Sequence, residues 1–316
     1  MFHCHVDYVS VCIDVNKDIL EKIRRHGLLL DGAMGSILIN HGLAGNEAAE
    51  SWNIRHPEII RQIHADYIAA GADVVTANTY GASLYKLEKM GAAQDYERIN
   101  RQGIRLAKAA CGPDQYVAGD MGAMGDMLAP AGPVSFENMK DNFARQAQIL
   151  AEEGVDLFLV ETVFDLTAGM CAVQAIQSVS VKPVFCSLTF KETRKGFFTI
   201  FGNTPEHSMK TLADKGVAAV GANCSLGSTD MVRLAAQIRK CVDIPVIIQP
   251  NAGMPEPAAG NQVFYPETDA LFAGNMQKIR ELGVEIIGGC CGTTPETIRQ
   301  MHQRISGNKK QGGSPG

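Results

Sequence analysis

The sequence predicts an α/β fold, a single-domain (β/α)8 TIM barrel, on three observations. Eight short apolar runs recur along the 316 residues, most of them leading into a helical segment. The runs are hydrophobic throughout rather than alternating, as parallel strands buried on both faces must be. Eight such units are the number that closes a barrel, and barrels of this length commonly form one domain.

The elements follow in order. Residues 1–17 are an N-terminal extension, expected to be disordered; His3-Cys4-His5 and Cys12 fall within it and read as parts of an unanchored terminus rather than as ligands. The barrel is expected over 18–306. Ile19, Leu20 and Ile23 give a helical pattern that stops at Gly27. The strands are expected at 28–30, 73–77, 115–119, 155–160, 183–190, 218–222, 244–248 and 284–287. The clearest helices are 59–70, 99–110, 138–153, 205–215, 231–241 and 268–282, with Gly71, Gly154, Gly216 and Gly283 as helix stops before the next strand. Residues 307–316, rich in glycine and lysine, read as a flexible tail.

Composition narrows the function. Hydrophobic residues make up 46%, enough for a sizeable core, and the net charge is −5 with a pI near 5.9. That balance points to no nucleic acid and no anionic membrane as partner. No apolar run approaches the ~20 residues that span a bilayer, and no signal peptide opens the chain. Nine cysteines, an odd number in a chain of this size, indicate a cytoplasmic location with free or metal-bound thiols.

The chemistry should gather where the strands end. Those ends read Asp31, Asn78-Thr79, Asp120, Glu161, Asn223-Cys224, Asn251 and Cys290-Cys291, polar after apolar runs. Adjacent strand residues face opposite ways, so Cys290 and Cys291 would diverge on a regular strand. Glycines on both sides allow the chain to bend and turn both sulfurs to one point. A vicinal disulfide is the alternative, but Cα atoms ~3.8 Å apart are closer than disulfides prefer. Cys224 ends the sixth strand and the pair ends the eighth, roughly 10 Å across one intervening strand. Zinc–sulfur bonds of ~2.3 Å and inward-leaning loops bridge such a gap. Three ligands with one open place is the catalytic pattern for zinc, and soft thiolates favour zinc, copper(I) or iron–sulfur clusters. A cluster would need a fourth cysteine; Cys186, facing the barrel interior, is a better candidate than Cys111, Cys171 or Cys241 on helices.

These residues resemble a known family. Asp31-Gly32-Ala33-Met34-Gly35, Glu161-Thr162, Asn223-Cys224, Pro250-Asn251-Ala252-Gly253 and Gly288 to Thr293 are similar to the homocysteine S-methyltransferase family, over about 28–305. Asn223-Cys224-Ser225-Leu226-Gly227 and Pro250 to Pro255 resemble the homocysteine-binding module of cobalamin-dependent methionine synthase more than the betaine-dependent branch. The resemblance implies Zn2+ held by Cys224, Cys290 and Cys291, with Asn251 in the fourth place until substrate sulfur displaces it. It also implies methylation of homocysteine to methionine. The segment Gly119 to Gly125 departs from the family's more usual serine- and proline-containing loop, and no folate or corrinoid module accompanies the barrel.

Sulfur ionisation explains the zinc. A free thiol of pKa ~8.5 is only a few per cent thiolate at neutral pH, whereas a metal deprotonates a coordinated thiol outright. For the amino-acid end of the substrate, the Asp31, Gly32, Ala33 turn into a helix suits a carboxylate. Glu161 with Asp31 suits the ammonium, and Asn78 and Thr79 complete the pocket. His64, Trp52, His26, His41 and His56 read as packing or surface, Lys22 to Arg25 as a solvated helix face, and Met121, Met124 and Met127 as flexible filling. The expected methyl donor is a methylcorrinoid such as methylcobalamin on a separate corrinoid protein. Two alternatives stand: a betaine or S-methylmethionine donor, or a non-catalytic zinc–thiolate barrel.

Overall fold

The computed structural model describes residues 18–257 and 263–308. Eight parallel strands form one sheet: β1 (Leu28–Leu29), β2 (Val74–Thr76), β3 (Tyr116–Met121), β4 (Leu157–Val163), β5 (Val184–Leu188), β6 (Ala219–Gly227), β7 (Val246–Asn251) and β8 (Ile286–Ile287). Each pairs with its neighbour in sequence, β1 also pairs with β8, and a Leu30–Val74 bridge joins β1 to β2. The sheet therefore closes into the expected barrel. His3, Cys4, His5, Cys12 and the tail from 309 lie outside the described residues.

Side-chain alternation divides the barrel into two cores. Leu28, Leu30, Val74, Tyr116, Ala118, Leu157, Leu159, Phe185, Ala219, Ile247 and Ile286 pack together inside it. Helix α1 (Ile19–His26) adds Ile19 and Ile23 to that inner cluster. The intervening residues, among them Val75, Val117, Phe158, Val160 and Cys186, face the surrounding helices. Cys186 was expected to face the interior; the parity set by Phe185 turns it outward, where it packs beside Gly169 of the helix Leu166–Val179. It stands apart from the three clustered cysteines.

The outer helices begin at the strand-end face, several under side-chain caps: Asp165, Thr204 and Thr268 accept hydrogen bonds from the first-turn N–H groups that helices leave unpaired. Gly27, Gly71, Gly154, Gly216 and Gly283 all have positive φ at the expected helix stops. The strands differ from expectation chiefly in β4 and β6, which run past 160 and 222 through register shifts between Val160 and Val163 and between Asn223 and Gly227. Two short hairpins, Lys191–Thr193 with Gly196–Phe198 and Glu256–Pro257 with Val263–Phe264, follow β5 and β7. Met121 and Met124 are buried in the outer core and Met127 is exposed; Trp52 and His64 are buried. Among the described residues, no helix is long and apolar enough to cross a membrane.

Candidate active site

The inward-facing parity that is apolar low in the barrel turns polar toward the strand ends. Leu159 is followed by Glu161, Ala118 by Asp120, Phe185 by Ser187, Ala219 by Gly221 and Asn223, and Ile247 by Gln249 and Asn251. Asp120, Ser187, Asn223, Gln249 and Asn251 are all buried. A closed apolar floor with a polar layer above it is thus written into the two-residue period of the strands.

Cys224, Cys290 and Cys291 meet there. Their sulfurs all lie within 4.8 Å of one another, the one such group of metal-ligating side chains among the described residues. The bulge in β6 places Cys224 at φ 60° and Ser225 at 57°, and Thr162 in the β4 bulge at 55°. Non-glycine residues seldom occupy this left-handed region, and strain of this kind collects where a site needs an exact side-chain direction. Cys290 and Cys291 are 4.0 Å apart at sulfur, about twice a disulfide bond, so the pair is not bridged. Gly289 N–H donates to the Asp31 carbonyl at 3.0 Å, and a side chain on Gly289 would overlap Thr293. The Thr293 hydroxyl binds the Cys290 carbonyl at 2.7 Å and the Ala33 N–H at 3.1 Å, tying the cysteine loop to the Gly32-Ala33 turn. Gly292, at φ 81°, lies under the ring of Tyr265, whose hydroxyl donates to Cys291.

Asn223 organises the remainder. Its Oδ1 accepts from Thr162 N–H and from the Ser187 hydroxyl, each at 2.8 Å, while its Nδ2 donates to Thr162 Oγ1 at 2.7 Å and lies 3.9 Å from Cys290 Sγ. One amide therefore holds β4, β5, β6 and a cysteine in register.

The sulfurs fit a soft metal ion. The thiols of Cys290 and Cys291 donate to Cys224 and hold it low, at about 3, as a thiolate. The same contact pushes Cys290 and Cys291 up, because a second and third anion cannot form beside the first without a cation. Asn251 is 3% exposed and its amide hydrogen-bonds Cys224, yet its Oδ1 is buried with no partner. Three thiols and an idle amide oxygen form a donor set suited to zinc.

A cavity of about 260 Å³ opens over this group, lined by Asp31, Gly32, Ala33, Asn78, Tyr80, Asp120, Glu161, Gln249 and the three cysteines. Asp31 accepts from Thr76 N–H and Oγ1, both at 2.7 Å, and burial pushes its carboxyl up to about 7. Glu161 is raised to about 8 by burial and by the Cys224 charge, with a Gln249 hydrogen bond opposing the shift. Burial, then the Glu161 charge, raises Asp120 as well. The pocket thus gathers acids and little to neutralise them. Asn78 also lines it, but its Nδ2 is engaged by the Ala49 carbonyl at 3.0 Å and Asn53 Oδ1 at 2.9 Å. Thr79 is fully buried outside the lining, its hydroxyl donating to the Asp120 carbonyl at 2.8 Å. The sequence points to Asp120 and Asn223 as polar strand ends without giving either a role, and it does not mark Gln249, Tyr80 or Tyr265; the strand parity could have flagged Gln249.

The chain is 30% identical to methionine synthase of Mycobacterium leprae and 29% identical to that of Mycobacterium tuberculosis, over 92% and 93% of its own length. It spans only about a quarter of those relatives, 25% and 26%. In fold it is similar to the Escherichia coli homocysteine methyltransferase MmuM in its metallated form, with a TM-score of 0.75 and 22% identity over 89% of this chain and 97% of that one. The carboxyl transferase domain of Rhizobium etli pyruvate carboxylase shares the fold more distantly, at a TM-score of 0.52 and 13% identity over 92% of this chain and 50% of that one. A barrel alone does not decide the chemistry. The profile of the family described as homocysteine S-methyltransferase matches residues 28–305, all eight strands and the three-thiol site included, and the chain belongs to that family.

Proposed function

We propose that this chain is a zinc-dependent methyltransferase that converts homocysteine to methionine, with a methylcorrinoid presented by a corrinoid protein as donor. The observation that carries the reading is the convergence of Cys224, Cys290 and Cys291, from two separated strand ends, on a cavity lined by carboxylates. Cys224, Cys290 and Cys291 would hold the zinc, and Asn251 Oδ1 would occupy the fourth place until a substrate sulfur arrives. Bound there, zinc would keep the substrate thiol ionised at neutral pH and so strongly nucleophilic.

The chain's own residues do the rest. Glu161 and Asp31, acids that have no basic partner at hydrogen-bond distance among the described residues, would receive the substrate ammonium and return to the charged state with it. The backbone of the Gly32-Ala33 turn and the free N–H groups opening the helix Gly35–Asn40 would take the carboxylate. Asn78 Nδ2 and Thr79 Oγ1 would act from behind, holding the strand-end backbone that shapes the cavity. With both ends of the amino acid fixed, the sulfur would be held in one orientation for a methyl carbon to approach in line. The methionine synthase relatives support methionine as product, and the resemblance of Asn223 to Gly227 and Pro250 to Pro255 to the cobalamin-dependent branch supports the corrinoid as donor.

The test is methionine formation by zinc-loaded protein and homocysteine, with methylcobalamin, betaine and S-methylmethionine offered separately. Turnover with methylcobalamin is expected. Turnover with betaine or S-methylmethionine only would replace the donor, and stoichiometric zinc with no homocysteine-dependent turnover would leave a storage barrel.

A further inference from the structure

We infer that Asp120 is a specificity-determining residue of this pocket, accepting a hydrogen bond from the ammonium group and thereby selecting amino-acid thiols over thiols that lack the amine. The inference rests on the homocysteine reading above and deepens it.

Asp120 is 5% exposed, lines the cavity, and carries a buried Oδ1 with no hydrogen-bond partner. A buried carboxylate oxygen left unpaired is costly, and such groups are normally matched by a donor or a cation. Among the described residues no ion pair reaches it: Lys86, an opposing charge that acts on it, stacks its Nζ 5.0 Å from the centre of the Tyr80 ring. The backbone beneath is fixed, since Thr79 Oγ1 bonds both the Asp120 N–H at 3.1 Å and its carbonyl at 2.8 Å. The carboxylate is therefore held in place and facing the cavity.

Neighbouring acids are already partly engaged, though each keeps acceptor capacity for the ammonium. Asp31 gives one oxygen to Thr76 N–H and the other to Thr76 Oγ1. Glu161, on the adjacent strand, takes a bond from Gln249. Among the described residues, Asp120 Oδ1 is the carboxylate oxygen of these three acids that is buried without a partner. An ammonium group has three N–H donors and needs several acceptors from different directions. A metal ion is a poorer match for these carboxylates. Among the described residues only the three cysteines bring ligand atoms within 4.8 Å of one another, so Asp31, Asp120 and Glu161 are too spread to share one ion.

The experiment is calorimetric titration of zinc-loaded protein with homocysteine and, separately, with 4-mercaptobutyrate, the same thiol acid without its amine. Wild type should bind homocysteine more tightly. Asp120→Asn, nearly isosteric, and Asp120→Ser, smaller, should keep full zinc content and bind 4-mercaptobutyrate within about threefold of wild type. Their dissociation constant for homocysteine should rise about 10- to 100-fold, the loss of one to two tenfold steps that charge-assisted bonds typically supply. Unchanged homocysteine binding in both variants, or equal weakening toward both ligands, would overturn the assignment. Failure of wild type to bind homocysteine at all would overturn the acceptor reading and this inference together.

Discussion

Replacing Asn223 with alanine tests whether one amide holds the site together. The side chain satisfies Thr162 N–H and the Ser187 hydroxyl through Oδ1 and donates to Thr162 Oγ1. Truncation strands two buried donors, each at about 1–3 kcal/mol. Thr162 is meanwhile kept at φ 55°, a conformation that costs roughly 1–2 kcal/mol and that these bonds maintain. Relaxation of that strain returns part of the loss, which leaves a net destabilisation of about 1–5 kcal/mol. For a barrel of this length each kcal/mol shifts Tm by about 2 °C, so a fall of about 2–10 °C is expected. Urea unfolding followed by circular dichroism measures the free energy directly, and a thermal scan checks the shift. Because Asn223 Nδ2 also lies beside Cys290 Sγ, zinc affinity should drop about 10- to 100-fold, as when other groups that orient metal ligands are removed. A variant within about 0.5 kcal/mol of wild type and with unaltered zinc affinity would refute the reasoning.

Other outcomes follow from the same site and core. Cys224→Ala or Cys290→Ala should lose zinc and methionine formation together; either variant retaining one zinc per chain by elemental analysis would leave that residue outside the ligand set. Glu161→Gln should raise the homocysteine KM by about 10-fold or more with zinc content intact, and zinc loss in that variant would place Glu161 at the metal instead. His64, fully buried with neither ring nitrogen paired, is lowered from 6.5 to about 4 by burial. The unfolded chain therefore binds the extra proton first, and stability falls as pH drops from about 6.5 toward 4, by about 3 kcal/mol at most. Across that window the urea midpoint of wild type should fall relative to that of His64→Leu as pH drops; a difference independent of pH would remove His64 as the source.

Much of the barrel is legible along the chain because its unit is local. An apolar run, a polar residue where it stops and a helix closed by glycine can each be read within about twenty residues, and Asp31, Glu161, Cys224 and Cys290-Cys291 stand out as polar stops. The three cysteines could be grouped because strand count alone brings the sixth and eighth strand ends near each other.

Closure of the sheet decided what local pattern could not. Cys186 faces the helices, since the inward parity of β5 is set by Phe185 against strands far away in sequence. Thr79 sits behind the cavity wall and Asp120 on it, a difference made by how β2 and β3 pack. The direction of the Cys224 thiol depends on a bulge whose backbone is held from β4 and β5 by Asn223, and Tyr265 reaches Cys291 only because its loop folds back over Gly292. Residue type and spacing along one strand determined which groups this protein can use; contacts among strands distant in sequence, each closing a long loop of chain, determined where those groups point.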